Sequence, residues 1–199
     1  EGQLYRNLSF KDFIQWRVYR TGWAEGMPAS SRDNIETTVA NKLDNHWVTF
    51  EKKVKVSIGG STPKDFTVRI ETLFGADEDT KPHRHALKHG DVVVYNGHSY
   101  IGYGPLDPQH CNPESFTGGY QILWFDSCVS YNYYEKDYIP LKEGGTQNLD
   151  LVTNGLESWV NESGPAMGRF VGTLINGKQA SYMDLLKASQ FTWYGYSWG

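Results

Sequence analysis

Cysteine is scarce. There are two in 199 residues, which excludes a disulfide-stapled scaffold. Long apolar runs are missing as well. The longest, DVVVY (91–95) and YQILWF (120–125), have strand length, far from the ~18 residues that a membrane-spanning helix needs. There is no basic excess: 19 Lys and Arg stand against 23 Asp and Glu, for a net charge of −4. That argues against a nucleic-acid partner, which a basic surface would serve. Internal repeats and low-complexity tracts do not stand out. Aromatic residues, in contrast, are abundant at 15%, including 13 Tyr and 7 Trp. They bury area while keeping a polar atom able to bond, so they suit recognition surfaces and cores alike. With 39% hydrophobic and 21% charged residues, the chain reads as one folded domain with a real core. It starts at Glu1, which fits a removed leader and export, or a piece of a longer chain. Asn7-Leu8-Ser9 and Asn161-Glu162-Ser163 match the glycosylation sequon.

Residues 1–45 read as an N-terminal arm followed by a helix over 33–44, which Asp33 caps and along which Ile35, Val39 and Leu43 form a stripe. Two alternating strands follow. Val54, Val56 and Ile58 alternate with Lys53, Lys55 and Ser57. Phe66, Val68 and Ile70 alternate with Thr67, Arg69 and Glu71. The segment with Gly59, Gly60 and Pro63 turns between them. Each strand has one polar face, so this antiparallel hairpin is expected at a sheet edge. Pro82 to His89 predicts a short helix closed by Gly90. The runs at 91–95 and 120–125 are apolar throughout, as in parallel strands covered on both faces. LDLVT (149–153) reads as a third strand broken by Asn154-Gly155, in preference to the start of a helix running to Val160. Residues 165–175 predict a helix with Pro165 in its first turn. Ser181 with Asp184 opens a last short one. The tail over 189–199 is a last strand or a loose aromatic end. The expected fold class is α/β, with a mostly parallel central sheet flanked by helices in a domain over 46–188.

In an open α/β sheet, ligands bind at the carboxyl ends of the strands. The first buried run leads into Asn96-Gly97-His98-Ser99, and the second into Asp126-Ser127-Cys128-Val129-Ser130. If the strands are neighbours, His98 and Cys128 share one edge. A thiolate is a strong nucleophile, and an adjacent imidazole both favours it and returns a proton to a leaving amine. Gly97, Gly102 and Gly104 leave room for close backbone approach. The N–H after Cys128, or one near His98, suits an oxyanion.

Tyr95-Asn96-Gly97-His98 after one apolar strand, then Asp126-Ser127-Cys128-x-Ser130 after another, resembles the caspase-like cysteine peptidases. The metacaspases are nearest by motif, with gingipains and legumains further off. The resemblance covers roughly 53–188. It implies a caspase-like layered fold, peptide or protein substrates and no cofactor. His98 would be the general base and acid, Cys128 the nucleophile, and Asp126 the acid that binds a basic substrate side chain. Gly97 and Ser99 would flank the substrate. Two positions depart from the family's pattern. Ser99 stands where the family places Gly after the His, and the run Tyr131-Asn132-Tyr133-Tyr134 follows the Cys where metacaspases are small or Gly-rich.

Other readings stand beside this one. The same fold without catalysis would be a binding module with an aromatic-rich cleft. His83, His85 and His89 could build a metal site, His85 and His89 sharing a helix face. Asp77, Glu78 and Asp79 form a short acidic run that reads as a solvated loop. A Cys111–Cys128 disulfide would remove the thiol and end the peptidase reading.

Overall fold

The computed structural model describes residues 46–74, 79–158, 160–175 and 181–189. The expected arm and helix over 1–45, the acidic pair at 77–78, and all of the aromatic tail but Ser189 lie outside the described residues. The chain divides into two compact units, Glu1–Ala76 and Asp77–Gly199.

In the first unit, β1 (His46–Val56) and β2 (Lys64–Phe74) pair antiparallel, with His46 opposite Phe74 and Val56 opposite Lys64. The turn is closed by Ser61 N–H donating to Ile58 O at 3.0 Å and Ile58 N–H donating to Ser61 Oγ at 3.1 Å. Arg69 meets Glu71, two residues along β2, at 2.6 Å and Glu51, across the ribbon, at 3.7 Å. These exposed pairs contribute about 0–1 kcal/mol each. The hairpin forms a two-stranded sheet of its own. The expectation that it edges the parallel sheet is therefore corrected. The division between the two compact units falls between residues 76 and 77, inside the span 46–188 expected as one domain. A parallel sheet is covered on both faces, and a ribbon carrying Lys53, Lys55, Arg69 and Glu71 on one face does not suit such a place.

The second unit is layered. α1 (Thr80–His89) is capped by Asp79, whose Oδ1 accepts from Lys81 N–H at 2.9 Å. It ends where Gly90 N–H returns to Ala86 O at 2.8 Å. β3 (Val92–Asn96), β4 (Gln121–Asp126) and β5 (Leu149–Thr153) are parallel in that order, so β4 is central. Every residue of β4 is buried. Its side chains alternate between two cores. Leu123 and Phe125 join Leu87 of α1 and Leu106, Phe116 and Tyr138 of the connections on one face. Ile122 and Trp124 meet Ala166, Phe170 and Leu185 on the other. The Trp124 and Phe170 rings lie 4.9 Å apart. The second core is supplied by α3 (Val160–Ile175) and α4 (Tyr182–Ser189). α3 starts five residues before Pro165, the residue taken to open it. Ser181 and Asp184 bond reciprocally at the start of α4, Ser181 N–H to Asp184 Oδ2 at 2.8 Å and Asp184 N–H to Ser181 Oγ at 3.2 Å. A short α2 (Ser130–Tyr134) follows β4 directly. Mixed α/β architecture with a parallel sheet is thus what the chain adopts. No helix among the described residues is long and apolar enough to cross a membrane.

Buried polar side chains pin both ends of β4. At the amino end, Gln121 Nε2 donates to Leu87 O at 2.9 Å and Gly90 O at 2.7 Å. Its Oε1 accepts from Lys142 Nζ at 2.8 Å. Lys142, 4% exposed, also donates to Thr117 O and Gly119 O, each at 2.6 Å. Burial lowers its pKa. Three bonds compensate for removing the ammonium from water.

Candidate functional site

Register sets the site. Asn96 is opposite Asp126 on neighbouring parallel strands, which run about 4.8 Å apart. His98 and Cys128 each stand two residues further on, so the two carboxyl ends deliver an imidazole and a thiol to the same edge of the sheet. Both line one open cavity of about 550 Å³. The loops that carry them are tied together. Ser99 Oγ donates to the carbonyl of Cys128. Tyr134 Oη, from α2, donates to the carbonyls of Ser99 and Tyr100. Tyr95 Oη folds back to donate to His98 O at 2.9 Å. Gly97 permits that fold, since a Cβ there would stand 2.7 Å from Tyr95 Oη.

The loop from β4 to α2 is equally fixed. Val129 adopts a left-handed conformation, φ +50°, uncommon for a β-branched residue and sustained only where its surroundings hold it. Ser130 Oγ donates to Phe125 O at 2.8 Å and accepts from Asn154 N–H at 2.9 Å. Tyr131 N–H donates to Asn154 O at 3.1 Å. The chain after β5 therefore runs beside the thiol. Ser158 Oγ and Ser158 O lie 3.8 and 3.9 Å from Cys128 Sγ. The Val129 N–H, the expected oxyanion donor, is already engaged: it donates to Leu156 O at 2.9 Å.

Asp126 is 5% exposed and does not line the cavity. Its Oδ1 accepts from Asn154 Nδ2 at 2.8 Å, and its Oδ2 from Asn96 Nδ2 at 3.1 Å. The carboxylate thus joins the ends of all three strands. Sequence reading gave neither asparagine a part in the site, although each follows or closes an apolar strand (VVVYN, DLVTN) just as Asp126 closes YQILWF. The linker contacts of Leu156 and Ser158 left no such signal.

The two thiols are both free. Cys111 packs on the core beside Tyr138, where burial pushes its pKa up. The histidine metal site is corrected by geometry. His83 turns into the core, its ring 5.7 to 6.2 Å from those of Phe125, Tyr95 and Tyr138. Its Nε2 is 3.1 Å from Tyr138 Oη, and burial lowers its pKa to about 4. Tyr138 gives its own proton to Leu106 O at 3.0 Å, so the imidazole donates to the phenol. His85 and His89 pair on the exposed side, rings 4.6 Å apart. Residues two apart on a helix diverge by about 200°, which separates His83 from His85. No group of three or more potential ligands occurs among the described residues.

Comparisons with family models, with curated proteins and with solved structures found no match.

Proposed function

We propose that the chain is a cysteine peptidase of caspase-like type, working through Cys128 and His98. The observation that carries this reading is that the thiol and the imidazole line one cavity at the carboxyl ends of adjacent parallel strands. His98 takes the thiol proton. The thiolate attacks the peptide carbonyl carbon and the carbonyl becomes an oxyanion. As the C–N bond breaks, the imidazolium returns its proton to the leaving amine. Water, deprotonated by His98, then hydrolyses the thioester. The Val129 N–H is the oxyanion donor once Leu156 O lets it go. Cys128→Ala and His98→Ala are each expected to lower peptide hydrolysis about a thousandfold or more, with the fold retained by circular dichroism. Retention of a tenth of the activity in either variant overturns the assignment.

A second reading, a non-catalytic binding module of the same fold, is favoured by one fact: the Val129 amide is occupied by the chain itself. Iodoacetamide alkylation followed against pH separates the two. A peptidase alkylates faster at Cys128 than at Cys111 and already below pH 7. A binding module shows no such difference.

A further inference from the structure

We infer that the cavity beside Cys128 accepts a bulky apolar side chain, aromatic above all, from the substrate residue just before the cleaved bond. This rests on the peptidase reading and names its substrate class.

The basic side chain implied by the family resemblance meets no carboxylate among the described residues of the cavity wall. The acid meant to receive it, Asp126, is buried and holds Asn96 and Asn154. Glu135 faces a different cavity, together with Asp150 and Tyr182. Beside the thiol itself, the described lining holds the His98 imidazole and no carboxylate. In the ion-pair form of the dyad that imidazole is positive. A guanidinium or ammonium placed there would give up water without gaining a carboxylate, and would lie beside an imidazolium.

The lining offers something else. Tyr100, Ile101, Tyr103 and Tyr133 surround the space. Ile101 is 64% exposed and Tyr103 59%, large apolar surfaces beside a reactive atom. The Tyr100 and Tyr103 rings lie 4.9 Å apart at 53°, and the His98 ring meets Tyr100 edge-on at 5.6 Å. The platform is fixed in advance. Tyr100 is held at φ +46°, and its carbonyl is bonded by Tyr134. At Gly104, a Cβ would come within 2.7 Å of the Tyr100 ring, so only glycine lets that ring settle there. Rigid phenol rings that lose little entropy on binding suit a flat apolar guest.

The test uses three peptidyl acyloxymethyl ketones, alike except for Phe, Arg or Asp next to the ketone. Modification of Cys128 is read by mass spectrometry, with iodoacetamide run in parallel. The Phe probe is expected to react about tenfold faster than either charged probe, within the range that apolar pockets supply. Tyr103→Ala is expected to narrow that preference to about threefold or less. Iodoacetamide reacting readily at Cys128 while the Arg or Asp probe matches the Phe probe overturns the inference and spares the peptidase. Cys128 that is no more reactive than Cys111 toward iodoacetamide overturns the peptidase and the inference with it.

Discussion

The two ends of β4 are built from the same device and do opposite things. At the amino end, Gln121 and Lys142 bond one another and the carbonyls of Leu87, Gly90, Thr117 and Gly119, and both side chains are buried. At the carboxyl end, Asp126 gathers Asn96 and Asn154 with equal economy. Two residues on, however, the chain opens into a cavity with a thiol at its wall and Val129 in a left-handed turn. Buried polar bonds at one end close a core. At the other they hold a frame from which the loop bearing Cys128 projects. The clamps are alike, and the difference lies in the segment each one anchors.

The comparison breaks first at Lys142. Lys142→Met leaves the Gln121 amide oxygen buried without its donor and strips the part-buried carbonyls of Thr117 and Gly119 of theirs, and is expected to cost about 3 kcal/mol. Denaturant melts measure this. The rate of Cys128 alkylation should stay as in the wild type, since the damage lies at the far end of the strand. A parallel loss of thiol reactivity would erase the distinction between the two ends.

His83 lies beneath the carboxyl end, against Tyr95 and Phe125. Its pKa is lowered to about 4 by burial, from about 6.5 when unfolded. Above pH 6.5 neither state holds the proton, so the group has no effect. Between pH 6.5 and 4 the unfolded chain takes up a proton that the folded one refuses, and stability falls. Below pH 4 the loss levels off at up to about 3 kcal/mol. His83→Phe is expected to flatten this slope in melts across that range. An unchanged slope refutes the assignment.

Asp126→Asn is the gentlest change. It keeps the shape but turns one accepting oxygen into a donating NH2, so one of the two bonds to the asparagines is lost and the other weakened, and is expected to cost about 1 kcal/mol or a little more. Its distinguishing effect is on Cys128, whose alkylation is expected to slow several-fold as the strand ends loosen. A stability loss with unaltered thiol chemistry would reduce Asp126 to the role that Lys142 has.

Much of this was legible in the sequence. The two apolar runs appear as parallel neighbours, and His98 and Cys128 fall where those runs end. The strand of LDLVT, the cap at Ser181 and the close of α1 at Gly90 follow from local patterns, whereas Asp79, read as part of a solvated acidic run, in fact caps α1, which starts at Thr80 and not at Pro82. Misplaced features depend on distant partners. Alternation marks the hairpin's strands but not which sheet they join. The stripe from Met167 to Ile175 marks α3 but not its start at Val160. Asp126 carries a charge that suggests a ligand, and only the folded chain brings two asparagine amides to it. The Leu156 and Ser158 contacts join segments separated by a strand and a long connection, which no periodicity records.

The bond from the Val129 amide to Leu156 O has a consequence for inhibitors of the proposed peptidase. Any ligand carbonyl that wants this donor competes with one tethered to the same chain. A tethered competitor acts at an effective concentration in the millimolar range, and dilution does not remove it. Affinity measured for a carbonyl-bearing inhibitor therefore includes the cost of displacing residue 156. Inhibitors that leave the amide alone and take only the thiol and the aromatic rings escape that competition.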